Sequence, residues 1–242
     1  MHDIRYDPVH DELLVTNPFA QAILVFRGGA NGEEAPIRVI QGPDTLLGDN
    51  TDRADVDSVH NEIIVPNRES ILVFPREASG NAAPIRILRG PNTHIRHVQV
   101  LAVDPVNNLI VANSIAEFRP GAKSEALLIF NRTDRENAAP RSIIAGSNTG
   151  LTNISQLQVH SAKGWIVAAE AGNYNSPEPE GAFVGVWSIN DKGNVRARWK
   201  ISGTKSTLKR PRGVVLDPEN KELIVADMRL NAVLTYYFPE IF

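Results

Sequence analysis

One short pattern occurs five times along the chain, and this repetition restricts the fold more than any other feature of the sequence. The copies read DPVHDELLVTN, DSVHNEIIVPN, DPVNNLIVAN, HSAKGWIVAA and DPENKELIVAD, at residues 7–17, 57–67, 104–113, 160–169 and 217–227. A repeat of about 50 residues has to be interpreted before any single motif, because each copy is one unit that buries its surface against its neighbours. The chain is therefore predicted to be an array of similar units.

Each unit contains several short apolar segments. The first segment is followed by a run of the type ILVF and then, in four units, by a run of the type APIRVIQGPDT. Short runs rich in Val, Ile and Leu, bounded by Asp-Pro, Asn and Gly-Pro, are typical of β-strands, and no segment has a sustained helical period. Four antiparallel strands, named a to d here, repeated along the chain indicate the blades of a β-propeller.

The predicted fold is thus an all-β propeller of about five four-stranded blades in a single domain, residues 1–242. The blades are predicted at residues 3–47, 53–95, 99–151, 155–207 and 212–242. The last unit has segments for strands a to c only, so its outer strand is predicted to be absent. Three explanations remain open: this blade has three strands, another chain pairs with its edge, or the residues belong to a six-bladed ring.

The open edge of the last blade is predicted to be apolar. Its residues are Tyr236, Tyr237, Phe238, Ile241 and Phe242. An unpaired apolar edge favours pairing with another molecule, so self-association through this edge is one expectation.

The histidines of the repeat, His10 and His60, lie beside carboxylates, which suggests a metal ligand, half of a catalytic pair or a turn. The repetition favours the turn. An Asp begins the repeat in four of its copies, where Asp side chains accept hydrogen bonds from nearby backbone amides. A metal site needs several ligands that converge, and this turn offers one histidine per blade.

The copy RGVVLDPENKELIVADMRLNAVLTYYF, residues 212–238, resembles the NHL repeat. LLVTNP at residues 13–18 is similar to the related YVTN-type propeller repeats. The resemblance covers nearly the whole chain and points to bacterial members of this group, in which six blades are common. It implies a propeller and leaves the chemistry open, because propellers include binding modules, lyases, lactonases and glycosidases.

The composition excludes several classes of function. The 242 residues have a net charge of −3, mixed along the chain, and no long basic block, so no nucleic-acid partner is predicted. No cysteine is present, which excludes disulfides, thiolate zinc sites and thiol nucleophiles. No apolar run approaches the about 20 residues of a membrane helix, so no membrane partner is expected. No signal peptide is seen in this chain; an exported bacterial protein whose signal is removed would look the same, so localisation stays open.

Strand a of the propeller lines the central channel, and its polar residues are the first candidate site. When the strands are aligned on their terminal Asp, alternation places one set of polar side chains on one face: Asp3, Arg5, Arg53, Asp55, Gln156 and Gln158. One interpretation is a channel with two Arg–Asp pairs that bind a polar or anionic ligand. The other is a set of structural ion pairs and bound waters that fill the channel.

The loops between strands b and c are the second candidate site. Blades 3 and 4 have insertions here, at residues 114–126 and 170–182. Such insertions on one face of a repeat protein often form a binding surface, and the predicted ligand-binding residues are Phe118, Arg119, Asn173 and Tyr174. The alternative is a pair of solvated loops.

No cofactor is predicted apart from a weak indication of calcium. Asp49, Asp52 and Asp55 bring hard oxygen ligands together, but their spacing is not that of an EF-hand.

Two functions are therefore carried forward. The favoured one is a non-enzymatic propeller that binds a protein or a small polar ligand on the loop-rich channel face. The alternative is a hydrolase or lyase of the lactonase or glycosidase type with a site at the channel mouth. The six histidines are scattered, and the chain has no phosphate-binding loop, HExxH or GxSxG motif, so no catalytic residue is identified.

Overall fold

Nineteen strands in five antiparallel sheets make up the residues described by the computed structural model, which are 3–49, 51–115, 124–173, 176 and 180–242. Blade 1 has β1 (Ile4–Asp7), β2 (Glu12–Asn17), β3 (Ala22–Arg27) and β4 (Arg38–Gln41). Blade 2 has β5 (Asp55–Asp57), β6 (Glu62–Asn67), β7 (Ser70–Pro75) and β8 (Arg86–Arg89). Blade 3 has β9 (Leu101–Asp104), β10 (Leu109–Ile115), β11 (Glu125–Asn131) and β12 (Ser142–Ile144).

Blade 4 has β13 (Ile154–His160), β14 (Trp165–Glu170), β15 (Phe183–Ser188) and β16 (Trp199–Ser202). Blade 5 has only β17 (Pro211–Asp217), β18 (Glu222–Asp227) and β19 (Ala232–Tyr237). In every blade each strand pairs with the next one along the chain. The prediction of a five-bladed all-β propeller whose last blade lacks strand d is confirmed.

The turn between strands a and b has the geometry that the repeat predicts. Asp7 Oδ1 accepts hydrogen bonds from the amides of Val9 and His10, at 3.0 and 3.3 Å, and His10 Nδ1 lies 2.7 Å from Asp7 Oδ2. His60 contacts Asp57 in the same way at 2.8 Å. These histidines therefore close turns, and the interpretation as a turn is confirmed.

The turn after strand d is a short 3-10 helix that the sequence analysis did not predict. Pro43–Thr45 follows Gly42, whose φ is 136°, and the Thr45 hydroxyl donates a 2.6 Å hydrogen bond to the Gly42 carbonyl. Pro91–Thr93 and Thr204–Ser206 are the same element in blades 2 and 4. Two further 3-10 helices are Pro18–Ala20 and Pro239–Ile241.

Adjacent blades are joined by the loop between strands c and d, which reaches back to the preceding blade. Gly80 exchanges two backbone hydrogen bonds with strand β4, through Gln41 N at 2.9 Å and Val39 O at 2.6 Å. Asn81 then accepts a 2.8 Å hydrogen bond from the amide of Asp44. Asn137 and Asn194 do the same in blades 3 and 4. We call these three residues the latch asparagines.

Four hydrophobic clusters form the core, and each lies between two successive blades. They join blades 1 and 2, 2 and 3, 3 and 4, and 4 and 5. Among the described residues no such cluster joins blades 5 and 1, and apolar side chains are exposed on both. Val233 of blade 5 is 67% exposed, and Ile4 of blade 1 is 59% exposed. We call these two exposed surfaces, one on blade 5 and one on blade 1, the seam.

The end of blade 5 differs in detail from the expected apolar edge. Ile241 is fully buried in the cluster between blades 4 and 5, and Tyr236, Phe238 and Phe242 pack against that cluster. Only Tyr237 of the predicted set is exposed, at 70%. The residues after β19 form the 3-10 turn Pro239–Ile241, and Ile241 of this turn belongs to the cluster between blades 4 and 5.

Candidate functional site

The first strands of blades 1 and 2 bring three of the predicted channel residues together. Arg5 Nε lies 3.5 Å from Asp3 Oδ2 and 3.7 Å from Asp55 Oδ1, and it donates a 3.2 Å hydrogen bond to the carbonyl of Ala54. One guanidinium is thus shared by carboxylates of two blades. This differs from the two separate Arg–Asp pairs expected from the sequence, because strand β5 places Asp55 beside Arg5.

Arg53 is the predicted channel arginine that takes no part in these ion pairs. It is half-buried, and within the described part of the chain it has no hydrogen bond and no ion pair within 4 Å. Burial lowers the pKa of Arg53; Asp3 opposes this, and the positive charges of Arg212 and Arg5 lower the pKa further. Arg53 is therefore a guanidinium near other cations that lacks a direct anionic partner in the described structure.

Asp3 is a carboxylate of the same cluster, and its pKa is shifted upward, whereas that of Arg53 is shifted downward. Burial raises the pKa of Asp3 above its ordinary value, although Arg5 and Arg53 both act to lower it. Asp3 Oδ2 and Arg5 Nη2 are buried, and neither atom has a hydrogen-bond partner among the described residues. Buried polar atoms without partners are rare in folded proteins and call for an explanation such as a bound ion or water.

Two other predicted channel residues link the inner strands of neighbouring blades. Asp55 Oδ2 accepts a 2.9 Å hydrogen bond from the amide of Val103 in blade 3. Gln156 Oε1 accepts a 2.5 Å hydrogen bond from the amide of Val214 in blade 5. These contacts are structural, because they tie one strand a to the next. The charged residues predicted for the channel all belong to blades 1 and 2.

Of the remaining predicted residues, the structure describes Gln158 and Asn173. Gln158 is half-buried on β13, and its side chain has no hydrogen bond among the described residues. The amide of Asn173 donates a 2.8 Å hydrogen bond to the carbonyl of Glu180, at the base of the blade 4 loop. Phe118, Arg119 and Tyr174 lie outside the described residues.

Arg212 is a channel residue that the sequence analysis missed. It lies in β17 and is exposed, close enough to Arg53 to lower its pKa. The register of β17 shifts between Pro211 and Gly213. A bulge of this kind changes which side chains share a face, so strict alternation along strand a could not place Arg212.

The last residue of strand b accepts hydrogen bonds from the backbone just before strand a in blades 4 and 5. Glu170 accepts hydrogen bonds from the amides of Thr152, Asn153 and Gly172 and from the Thr152 hydroxyl. Burial raises the pKa of Glu170, although these hydrogen bonds act to lower it. Asp227 accepts four backbone hydrogen bonds in blade 5. The signal was present in the sequence as an Asn or Asp at the end of four copies and as Glu170 directly after the fourth copy.

The aspartates considered for calcium are engaged otherwise. Asp49 contacts Arg68 Nη2 at 3.0 Å, and both Asp55 oxygens have the protein contacts described above. Over the described ranges, no group of three or more His, Asp or Glu side chains is placed to hold a metal ion. Calcium binding stays a prediction from the sequence.

The class of protein that fold and channel define is a five-bladed β-propeller. Comparison with protein-family models found no match, and comparison with curated proteins found none either. The resemblance to NHL and YVTN-type repeats therefore stays a prediction. In the described residues no helix is long and apolar enough to cross a membrane.

Proposed function

We propose that this protein is a non-enzymatic binding propeller of the NHL/YVTN type and that its channel takes a small anionic ligand. The observation that carries the proposal is the state of Arg53, a half-buried guanidinium with no ion pair among the described residues. Asp3 and Asp52 act to favour its charge, whereas Arg212 and Arg5 act to disfavour it. An anion between these groups would relieve this repulsion.

The chemistry of the proposed ligand follows from the guanidinium groups. Arginine binds carboxylates and phosphates through two parallel N–H donors, which gives both affinity and orientation. The positive charge of Arg5 is already compensated by its ion pairs with Asp3 and Asp55. Arg53 is consequently the residue that we assign to the ligand, and Arg5 and Asp3 are assigned to its surroundings. No observation among the described residues favours the hydrolase or lyase alternative.

The experiment is a ligand-dependent thermal unfolding series on the full chain, with sulfate, inorganic phosphate and succinate as probes. We expect at least one of these anions to raise Tm saturably in the native protein, because a ligand that binds the folded state stabilises it. Arg53→Gln should abolish the saturable part. Arg196→Gln, a change at an exposed arginine of blade 4, is the matched control and should leave it unchanged.

Arg53→Gln should also raise the stability of the ligand-free protein slightly, by about 1 kcal/mol, since removal of an unpaired half-buried cation relieves repulsion. Loss of binding together with a gain in stability distinguishes a ligand residue from a structural one. If none of the three anions shifts Tm saturably, or if Arg53→Gln responds as the native protein does, the proposal is wrong.

The pH dependence of binding provides a second test. The folded state holds the proton of Asp3 more tightly than an ordinary aspartate, because its pKa is raised by burial. Protonation removes one negative charge beside the ligand, so anion affinity should increase as the pH falls through the pKa of Asp3. Sulfate is the suitable probe because its own charge is constant there. Asp3→Asn should make sulfate affinity independent of pH over this range.

A further inference from the structure

The outer edge of blade 5 is an unpaired β-strand. In blades 1 to 4, strand c pairs with a strand d: β3 with β4, β7 with β8, β11 with β12 and β15 with β16. Strand β19 pairs with β18 alone among the described strands. Such an edge presents a row of backbone N–H and C=O groups that can pair with an added strand.

The repeat itself indicates which side chain should lie beside this edge. In blades 1, 2 and 4 the first residue of strand b contacts the first residue of strand d, and the identities of the two residues change together from blade to blade. The pairs are Glu12 with Arg38, Glu62 with Arg86, Leu109 with Ser142 and Trp165 with Trp199. The two glutamate pairs are bidentate ion pairs, and the tryptophan rings are 5.1 Å apart.

Blade 5 has the glutamate of this pair and no strand d. Glu222 is the first residue of β18, and within the described residues it has no ion pair within 4 Å. Where the strand b residue is glutamate, as in blades 1 and 2, the strand d residue is arginine in both cases. The edge of blade 5 therefore has a site whose chemical complement is an arginine at the start of an added strand.

Strand d of blade 4 and the turn after it lack the contacts that the loop of the next blade makes in blades 1 to 3. Its strand d residue Ile201 is half-buried, whereas Ile40, Leu88 and Ile144 at the same position are almost fully buried. In blades 1 to 3 this strand receives the backbone pair and the latch asparagine of the next blade. In blade 4 the amide of Lys205, the counterpart of Asp44, has no such acceptor among the described residues.

We propose that the free edge of blade 5 binds an extended polypeptide segment supplied by another molecule, with the pattern Gly-Asn-x-x-Pro-x-Arg followed by apolar residues. Its arginine pairs with Glu222, and its backbone pairs with β19. Its Gly-Asn reaches back to Ser202 and Lys205 of blade 4, as Gly80 and Asn81 reach back to blade 1. One segment thus completes two blades.

A second copy of this chain does not bring such a segment to the edge. Gly28 of blade 1 stands where blades 2 and 3 have Arg76 and Arg132, which bind the glutamate of the preceding blade. Glu33 stands at the position of the latch asparagines, although Gly32 keeps the left-handed φ of 62°. The segments of this chain that do fit the pattern are already part of its inner blades. The occupant is consequently a segment that residues 1–242 of one chain do not supply.

The test uses the full chain and a fluorescent peptide with the sequence of residues 79–90, SGNAAPIRILRG. Fluorescence anisotropy should show saturable binding. Glu222→Arg should weaken it at least about tenfold, as expected when a charged partner is reversed. A peptide with Arg86→Glu should bind the native protein equally weakly and recover affinity for Glu222→Arg. Glu219→Arg, at an exposed position of the same blade, is the matched control.

Three results would overturn this inference: no saturable binding by the folded protein, an equal loss with Glu219→Arg, or a dimer that the peptide does not dissociate. The last result, read by light scattering, would show that a second copy occupies the edge. The inference is independent of the channel proposal, because Arg53→Gln should bind the peptide as the native protein does. Failure of one proposal is thus distinguishable from failure of the other.

Discussion

The inner faces of the propeller and the faces at the seam have the same repeat positions in different surroundings. Ile23, Ile71, Leu127 and Val184 are at most 1% exposed, whereas Val233 at the same position is 67% exposed. Phe74, Phe130 and Trp187 are fully buried, and their counterpart Phe26 in blade 1 is half-buried. The difference teaches that burial in this fold is decided by the neighbouring blade, because each sheet supplies an apolar face on both sides.

The largest expected effect comes from removing an aromatic side chain at an inner face. Phe74→Ala should lower the free energy of unfolding by about 3–5 kcal/mol, because Phe74 is fully buried between blades 1 and 2. Phe26→Ala, the same repeat position at the seam, should cost less than half as much. Denaturant unfolding measures both. Equal losses would show that the seam is packed as tightly as the inner faces.

A smaller effect is expected at the glutamate of strand b. Glu62 binds Arg86 and Arg132, so Glu62→Gln should destabilise the protein by about 3 kcal/mol. Glu222→Gln at the open blade should change stability by no more than about 0.5 kcal/mol. If Glu222→Gln proved as costly as Glu62→Gln, Glu222 would already have a cationic partner.

The contribution of Glu62 to the free energy of unfolding should depend on pH. Burial acts to raise the pKa of Glu62, but the hydrogen bonds and charges of Arg86 and Arg132 outweigh it, and the net pKa lies below the ordinary value. The stabilisation is therefore present above the unfolded-state pKa and is lost as the pH falls through the folded-state pKa. The stability difference between native protein and Glu62→Gln should shrink in acid. A difference that is constant with pH would contradict this.

The smallest expected effect concerns the latch asparagines. Asn81→Ala removes the acceptor of the Asp44 amide and should cost about 1–2 kcal/mol. Glu33→Ala, the same position in blade 1, should be within about 0.5 kcal/mol of the native protein, because Glu33 is exposed. Thermal unfolding of the two variants side by side measures the contrast. A destabilised Glu33→Ala would indicate an additional contact across the seam.

Much of the fold could be predicted from the sequence because the blades repeat. Alternating apolar runs and Asp-Pro turns gave the strands and the absent strand d of blade 5. The seam could not be predicted, since the same apolar pattern is present whether or not a neighbour covers it. The buried position of Ile241 was missed because it depends on the 3-10 turn after β19 and on packing against blade 4.

The channel was predicted less completely than the fold. Alternation grouped Asp3, Arg5 and Arg53, although Asp3 and Arg53 precede strands β1 and β5 and do not lie within them. It did not predict that Arg5 would take both carboxylates, because that pairing depends on the relative height of two strands from different blades. It also did not place Arg212, whose strand has a bulge. Contacts between repeats are thus what the repeat pattern leaves undetermined.

The latch asparagines have a consequence for the order of folding during synthesis. The amide of Asp44 donates its hydrogen bond to Asn81, which is synthesised 37 residues later. The hydrogen bonds to the other two latch asparagines span 45 and 46 residues. At ribosomal rates of about 5–20 residues per second, each blade stays without its cap for about 2–9 s after its own turn has emerged. Assembly should therefore proceed in one direction, with every blade secured only once its successor has been made.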